Sequence, residues 1–278
     1  MPSDSVDILE NTIRRHDDLL DILLMDQTKR KQKHHNIIWA TDSYRGYKPT
    51  SEMLPEHITG EYALLIQPRI AKSKEEQQHR TKEKAEVFTP DRIVDEMNKQ
   101  IDWNGENWPV DSENWQNYVK EPKLEITCGE APYLVSRYNA VTGEPIPIEK
   151  RVGLLDRKLR VVSKETSAIA DWTEYAIRAV QSVYGYEFQG DNLFLARRNV
   201  FKTVEEFLTG KVPSKELKDF LIEVAEIISW NLWQMDGLTG SPPFQSNVNL
   251  FGGANCLIKD WKTGKVIEFI SLTKGAAR

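Results

Sequence analysis

Four consecutive residues, Ser241-Pro242-Pro243-Phe244, have the parts needed to work on an exocyclic amino group. The Ser241 hydroxyl can accept one hydrogen of such a group and the Pro242 carbonyl the other. Proline fixes that carbonyl and removes a competing N–H donor. Phe244 offers a face on which a flat base can stack. The amino nitrogen of a base is a poor nucleophile because its lone pair is conjugated with the ring. Accepting its hydrogens makes it more tetrahedral, provided the base has left the helical stack. Three acids stand at other telling points. Glu125 lies in "LEITCGEAP", Glu187 near the end of "YGYEF", and Asp236 at the end of "WQMD".

Whether these residues meet depends on the elements that carry them. Residues 124–127 read as a strand, followed by a small-residue loop, after which Tyr133, Leu134 and Tyr138 open a helix. Residues 170–185 read as an amphipathic helix, 184–188 as a strand, 191–208 and 217–229 as helices, and 230–238 as a third strand. Strands alternating with helices argue for a parallel sheet with crossover helices. Ligands in such sheets sit at the carboxyl ends of the strands, where all three acids fall. Glu187 is placed to hold two ribose hydroxyls. Between Asp236 and Ser241 lie only four residues, fewer than a crossover to a neighbouring parallel strand needs. The Ser-Pro-Pro-Phe segment therefore hangs from the third strand's loop, and a plain turn competes with a catalytic loop as its reading.

The flanks are less regular. Residues 4–33 read as an N-terminal helix, with Leu20, Leu23 and Leu24 at helical spacing. Residues 36–44 and 62–70 look like short strands. The charged run 71–87 is either a solvated helix or a phosphate-contacting face built from Arg69, Lys72, Lys74, Arg80, Lys82 and Lys84. Residues 88–101 read as a helix capped by Thr89, with Pro90 in its first turn and Ile93, Val94, Met97 and Ile101 on one face. Residues 103–115 read as a polar, aromatic-studded loop, and 142–167 as part of an insertion at about 140–180. Residues 256–272 read as two strands about "KTGK", a hairpin.

The chain of 278 residues carries a net charge of −5, so any nucleic-acid contact must be a local basic face. Two cysteines, Cys128 and Cys256, are too few for a disulfide framework or, alone, a zinc site. No metal ligand set is expected. With no apolar run of membrane-spanning length, the expectation is a cytoplasmic protein without membrane contact.

"LEITCGEAPYL" resembles the S-adenosylmethionine-binding loop of amino-group DNA methyltransferases. Leu124, Glu125, Cys128, Gly129, Tyr133 and Leu134 fall in register with that loop. "YGYEFQGDNLFLARRNV" is similar to the second motif of that family and "EIISWNLWQMDGL" to its third. "AEVFTPDRIVDEM" looks like the Thr-Pro segment that precedes the loop in adenine-N6 enzymes. The four matches span about residues 85–240, in the order found in gamma-class adenine enzymes and in restriction-modification "subunit M" proteins.

The resemblance implies a Rossmann-like methyltransferase fold over 85–278, mainly a parallel sheet, with an N-terminal helical extension over 1–84 and a C-terminal β-hairpin. It implies an N6-adenine DNA-binding methyltransferase, or the modification subunit of a restriction-modification system, that uses S-adenosylmethionine. Its partners would be DNA together with a specificity or restriction subunit or a homo-oligomer. Glu125 and Gly129 would hold the amino-acid part of the cofactor, Cys128 and Ala131 would also be cofactor-binding, and Glu187 would hold the ribose and Asp236 the adenine amino group. Thr89 and Pro90 would wall the methionine end, and Ser241, Pro242, Pro243 and Phe244 would be catalytic. Two residues depart from the pattern. Ala131 replaces a glycine and adds a methyl close to the cofactor, and Ile126 replaces a proline. The alternative is a non-catalytic binding or regulatory subunit with a degenerate cofactor site.

Overall fold

The computed structural model describes residues 17–29, 35–84, 86, 89–102, 114–208, 214–245 and 255–275. The helices are α1 Asp17–Leu24, α2 Lys74–Lys84, α3 Asp91–Ile101, α4 Trp115–Lys120, α5 Leu154–Glu165, α6 Ile169–Gln181, α7 Gly190–Leu208, α8 Ser214–Asn231 and α9 Phe269–Gly275. The strands are β1 Lys123–Glu125, β2 Val183–Glu187, β3 Leu232–Gln234, β4 Leu257–Lys259 and β5 Val266–Glu268. The architecture is mixed α/β around a small parallel sheet in the order β1-β2-β3. No described helix is long and apolar enough to cross a membrane.

Helix α7 sits at the centre. Leu193, Leu195, Ala196, Phe201 and Val204 are all fully buried within it. Its first turn carries Asp191, an acid at the positive end of the helix. Its entry is tight, because a Cβ on Gly190 would lie 2.0 Å from the Ile38 carbonyl oxygen. The Gly190 amide donates to the Trp39 carbonyl at 2.8 Å. Glycine is therefore the residue that lets the 36–53 segment lie against α7. In α8, Phe220, Leu221, Val224, Ala225, Ile227 and Ile228 repeat at helical spacing and are buried. They share one core with Leu19, Leu23 and Leu24 of α1, with Trp39 and Met53, and with the inward faces of α5 and α6.

The two edges of the sheet are unlike. The Lys123 amide donates to the Ser182 carbonyl at 2.8 Å. By alternation, the Leu124 amide and carbonyl point to the opposite edge, where no strand pairs among the described residues. Leu124 is 44% exposed and Ile126 63%. At the far side, Arg197 Nε donates to the Leu232 carbonyl at 2.9 Å and the Cys256 thiol to the Gln234 carbonyl at 3.4 Å. The Gln234 side-chain amide also grips the Ile38 backbone, accepting from its N–H at 2.9 Å and donating to its carbonyl at 2.8 Å.

Several expectations change. Of the helix read over 4–33, the described part is Asp17–Leu24. The chain then folds back, since Met25 bridges Asn36, while residues 1–16 and 30–34 lie outside the described residues. Residues 36–44 make isolated bridges rather than a strand, and 62–70 form turns, with short 3-10 pieces at Gly60–Tyr62 and Arg69–Ala71. The helix expected to open at Tyr133 is absent. Tyr133 and Leu134 instead accept the first amides of α5, those of Leu154 and Leu155, both at 2.8 Å. The segment thereby satisfies donors that a helix start leaves open. Helix α3 begins at Asp91 with Pro90 at its cap position, and no side-chain bond from Thr89 caps it. Met97 and Ile101 of its apolar face are about half exposed. The hairpin over 256–272 is shorter than its pattern, because the chain turns helical at Phe269. The loop read over 103–115 falls outside the described residues except for Asn114 and Trp115, the latter opening α4.

Candidate functional site

The carboxyl ends of β1 and β2 open into a cavity of about 1010 Å³. The loop after β1 forms its floor. Thr127, Gly129 and Ala131 all have positive φ, at 46°, 55° and 63°. A positive φ suits glycine, which stands at the second of these positions. A Cβ on Gly129 would meet nothing within 4 Å, so the cavity reaches the backbone there. Ala131 tolerates its left-handed conformation at a cost of about 1–2 kcal/mol. Its methyl is fully buried in the core rather than lining the cavity. The expected crowding of a ligand by that methyl is not present.

Two buried carboxylates tie this loop down. Glu187 accepts the Gly129 amide at 2.9 Å with one oxygen and the Gln189 amide at 3.0 Å with the other. Glu125 accepts the amides of Tyr133 at 3.3 Å and Leu134 at 3.1 Å. Burial raises both pKa values, and these amide bonds only partly offset it. Glu125 is pushed from 4.5 up to about 8, with the Glu187 charge adding to the rise. A carboxylate has about four acceptor positions. Each acid therefore keeps capacity for a ligand's hydroxyls or ammonium group. Burial, and then the two glutamates, push the Cys128 thiol well up, so it stays protonated and unreactive.

The cavity takes in Thr89, Glu125, Cys128, Gly129 and Glu187. Pro90 and Ala131 are not among its lining residues, and neither is Asp236. The Asp236 carboxylate instead accepts the Leu238 amide at 2.9 Å and folds its own turn, while its backbone bridges Ser241. Ser241 is 1% exposed. Its hydroxyl bonds the Gln245 carbonyl at 2.5 Å and the Thr239 hydroxyl at 2.7 Å. Pro242 and Pro243 are buried as well. Of the four residues of that turn, Phe244 alone reaches the cavity.

Other walls carried no motif. Ala40, Thr41, Asp42 and Pro49 line one side, and Lys82, Lys84 and Glu86 another. Lys84 Nζ meets Asp42 at 2.8 Å at the mouth. Beneath them lies a buried charge cluster. Arg80 is 0% exposed and pairs with Asp191 at 2.8 Å and Glu86 at 2.7 Å. Lys72 stands 3.6 Å from Asp191, and the Tyr44 hydroxyl donates to the same carboxylate at 2.8 Å. Arg69 donates its amide to Glu130 at 2.7 Å. Glu130, a cavity residue, also accepts the Tyr138 hydroxyl. The Arg69 guanidinium donates to the Glu86 carbonyl at 2.8 Å and the Thr81 hydroxyl at 2.6 Å, so Arg69, Lys72 and Arg80 are buried and committed internally rather than set on a phosphate-contacting face. Lys74 and Lys82 remain exposed.

No protein-family model, curated protein or solved structure matches this chain.

Proposed function

We propose that this chain binds S-adenosylmethionine and supplies the cofactor-binding part of a DNA adenine-N6 methyltransferase of the modification-subunit kind. The observation that carries the reading is the convergence of Thr89, Glu125, Gly129 and Glu187 on one cavity at the ends of two parallel strands. Acids and glycine-loop amides at that point suit a ligand with a diol and an ammonium group. The cavity is large enough for one, since ligand sites are typically about 300–1,000 Å³. Glu187 would hold the ribose hydroxyls and Glu125 the amino-acid part of the ligand. Asp236 gives no support to an adenine contact. When bound, the cofactor supplies an activated methyl group.

The acceptor side of the reaction calls for a second chain. Ser241 is buried and spends its hydroxyl on its own turn. The exposed edge of β1 leaves room for a further strand beside the cavity, and a partner that adds one there would bring the groups that hold the flipped base. The same sequestered Ser241 supports the second reading, a binding or regulatory subunit that transfers nothing.

Calorimetric titration with S-adenosylmethionine tests the first claim. Binding by the native chain, lost in Glu187→Ala while thermal unfolding stays cooperative, is the expected result. No heat at millimolar ligand would overturn the cofactor reading. Transfer of tritiated methyl groups to unmethylated DNA, with and without proteins encoded alongside, separates the two readings. Transfer that appears only with a partner supports the split enzyme.

A further inference from the structure

Phe188 follows Glu187 directly at the end of β2, and its ring meets that of Phe244 edge to face, with centroids 5.6 Å apart and planes at 81°. Both line the cavity. They approach from different places, Phe188 from the strand that carries the acid and Phe244 from the turn after β3.

The turn holds Phe244 in an unusual way. Its φ is 62°, a left-handed value that a bulky residue rarely adopts. Behind it, Ser241 bonds the Gln245 carbonyl, and the Gln245 amide donates to Pro242 at 3.1 Å. Serine and both prolines are buried, while Phe244 is 58% exposed. The local structure therefore spends its polar groups on itself and displays one ring. Strain of this kind collects where a side chain must be aimed.

Two nearly perpendicular rings make a corner at the cavity wall. A flat heteroaromatic ring can stack on one of them while its own edge meets the second ring, as aromatic groups prefer offset and edge contacts. The corner begins one residue from the carboxylate with spare capacity for a diol. A sugar held by Glu187 would carry its attached base to this place. We propose that Phe244, with Phe188, forms the seat for the base of a bound nucleoside moiety, so that the Ser-Pro-Pro-Phe turn belongs to the cofactor pocket and not to a platform for a target DNA base. This rests on the cofactor reading above for the identity of the ligand.

The test is titration of native chain, Phe244→Ala and Phe244→Tyr with adenosine, with S-adenosylhomocysteine and with methionine. Loss of one stacking partner weakens binding of a base by about tenfold or more. Phe244→Ala is expected to lose that much for adenosine and S-adenosylhomocysteine and nothing for methionine, while Phe244→Tyr keeps native affinity. If the native chain binds neither nucleoside, the cofactor reading fails and the seat with it. If the native chain binds and Phe244→Ala binds equally well, the seat is wrong while the cofactor reading stands. Loss of methyl transfer to DNA in Phe244→Ala, with cofactor affinity intact, would return Phe244 to the target base.

Discussion

Replacing Arg80 by methionine tests the buried cluster that holds the cavity's outer wall. Methionine keeps an apolar stem of similar length, so little packing is lost. What disappears is the guanidinium between Asp191 and Glu86, at 2.8 and 2.7 Å. Removing one partner of a buried ion pair costs about 3–5 kcal/mol, because the other charge is left in a poor solvent. Lys72 stays 3.6 Å from Asp191 and Arg69 stays 3.8 Å from Glu86, so about 3 kcal/mol is the expected figure. At about 2–4 °C per kcal/mol for a chain near this size, the melting temperature should fall by about 6–12 °C. Urea unfolding gives the free energy directly. The double variant Arg80→Met, Asp191→Asn removes the stranded carboxylate as well and should recover part of the loss. A fall under about 1 kcal/mol for Arg80→Met, or a double variant no better than additive, would refute the assignment of the cluster as a pinned pair.

Two further outcomes follow from the same geometry. Glu125 has a folded pKa near 8 against 4.5 in the ordinary state, so between those values the folded chain holds a proton that the unfolded chain has released. Stability should therefore be fuller at low pH and fall as pH rises from about 4.5 to 8. Glu125→Gln should flatten that window when unfolding free energy is followed by urea titration at several pH values. An unchanged slope would show that Glu125 titrates normally. Ser241→Ala removes a buried hydroxyl and leaves the Gln245 carbonyl without that donor. It should cost about 1 kcal/mol in urea unfolding and leave S-adenosylmethionine affinity as it was; loss of affinity would place the hydroxyl in the site.

The central elements were legible because burial and periodicity coincide there. Helices α7 and α8 and strands β2 and β3 lie within a few residues of their sequence patterns, since their apolar residues face one core. The run Leu64-Leu65-Ile66 misled because apolar content alone does not make a strand. Ile66 is buried, but Leu64 is 60% exposed and the chain around it turns. The basic residues between 69 and 84 looked like a surface because one of the acids that holds them, besides the nearby Glu86, lies far along the chain. Asp191 is 111 residues beyond Arg80, and no local pattern announces such a pairing. Among the candidate site residues, the strand-end acids and Gly129 were visible from chemistry and spacing. The wall from Ala40 to Pro49 was not, because it carries shape rather than reactive groups. The direction in which Ser241 points was equally hidden, since a hydroxyl's partner is set by tertiary turn geometry.

The unlike edges of the sheet bear on how copies of this chain can associate. An edge with free backbone groups invites another strand. Among the described residues one edge of the parallel sheet is closed by Arg197 and Cys256, while the Leu124 side pairs with no strand. Two copies that met through that side would each use the Leu124 edge of the parallel sheet and form a two-fold pair. Growth of the three-stranded sheet through that edge would stop at the pair.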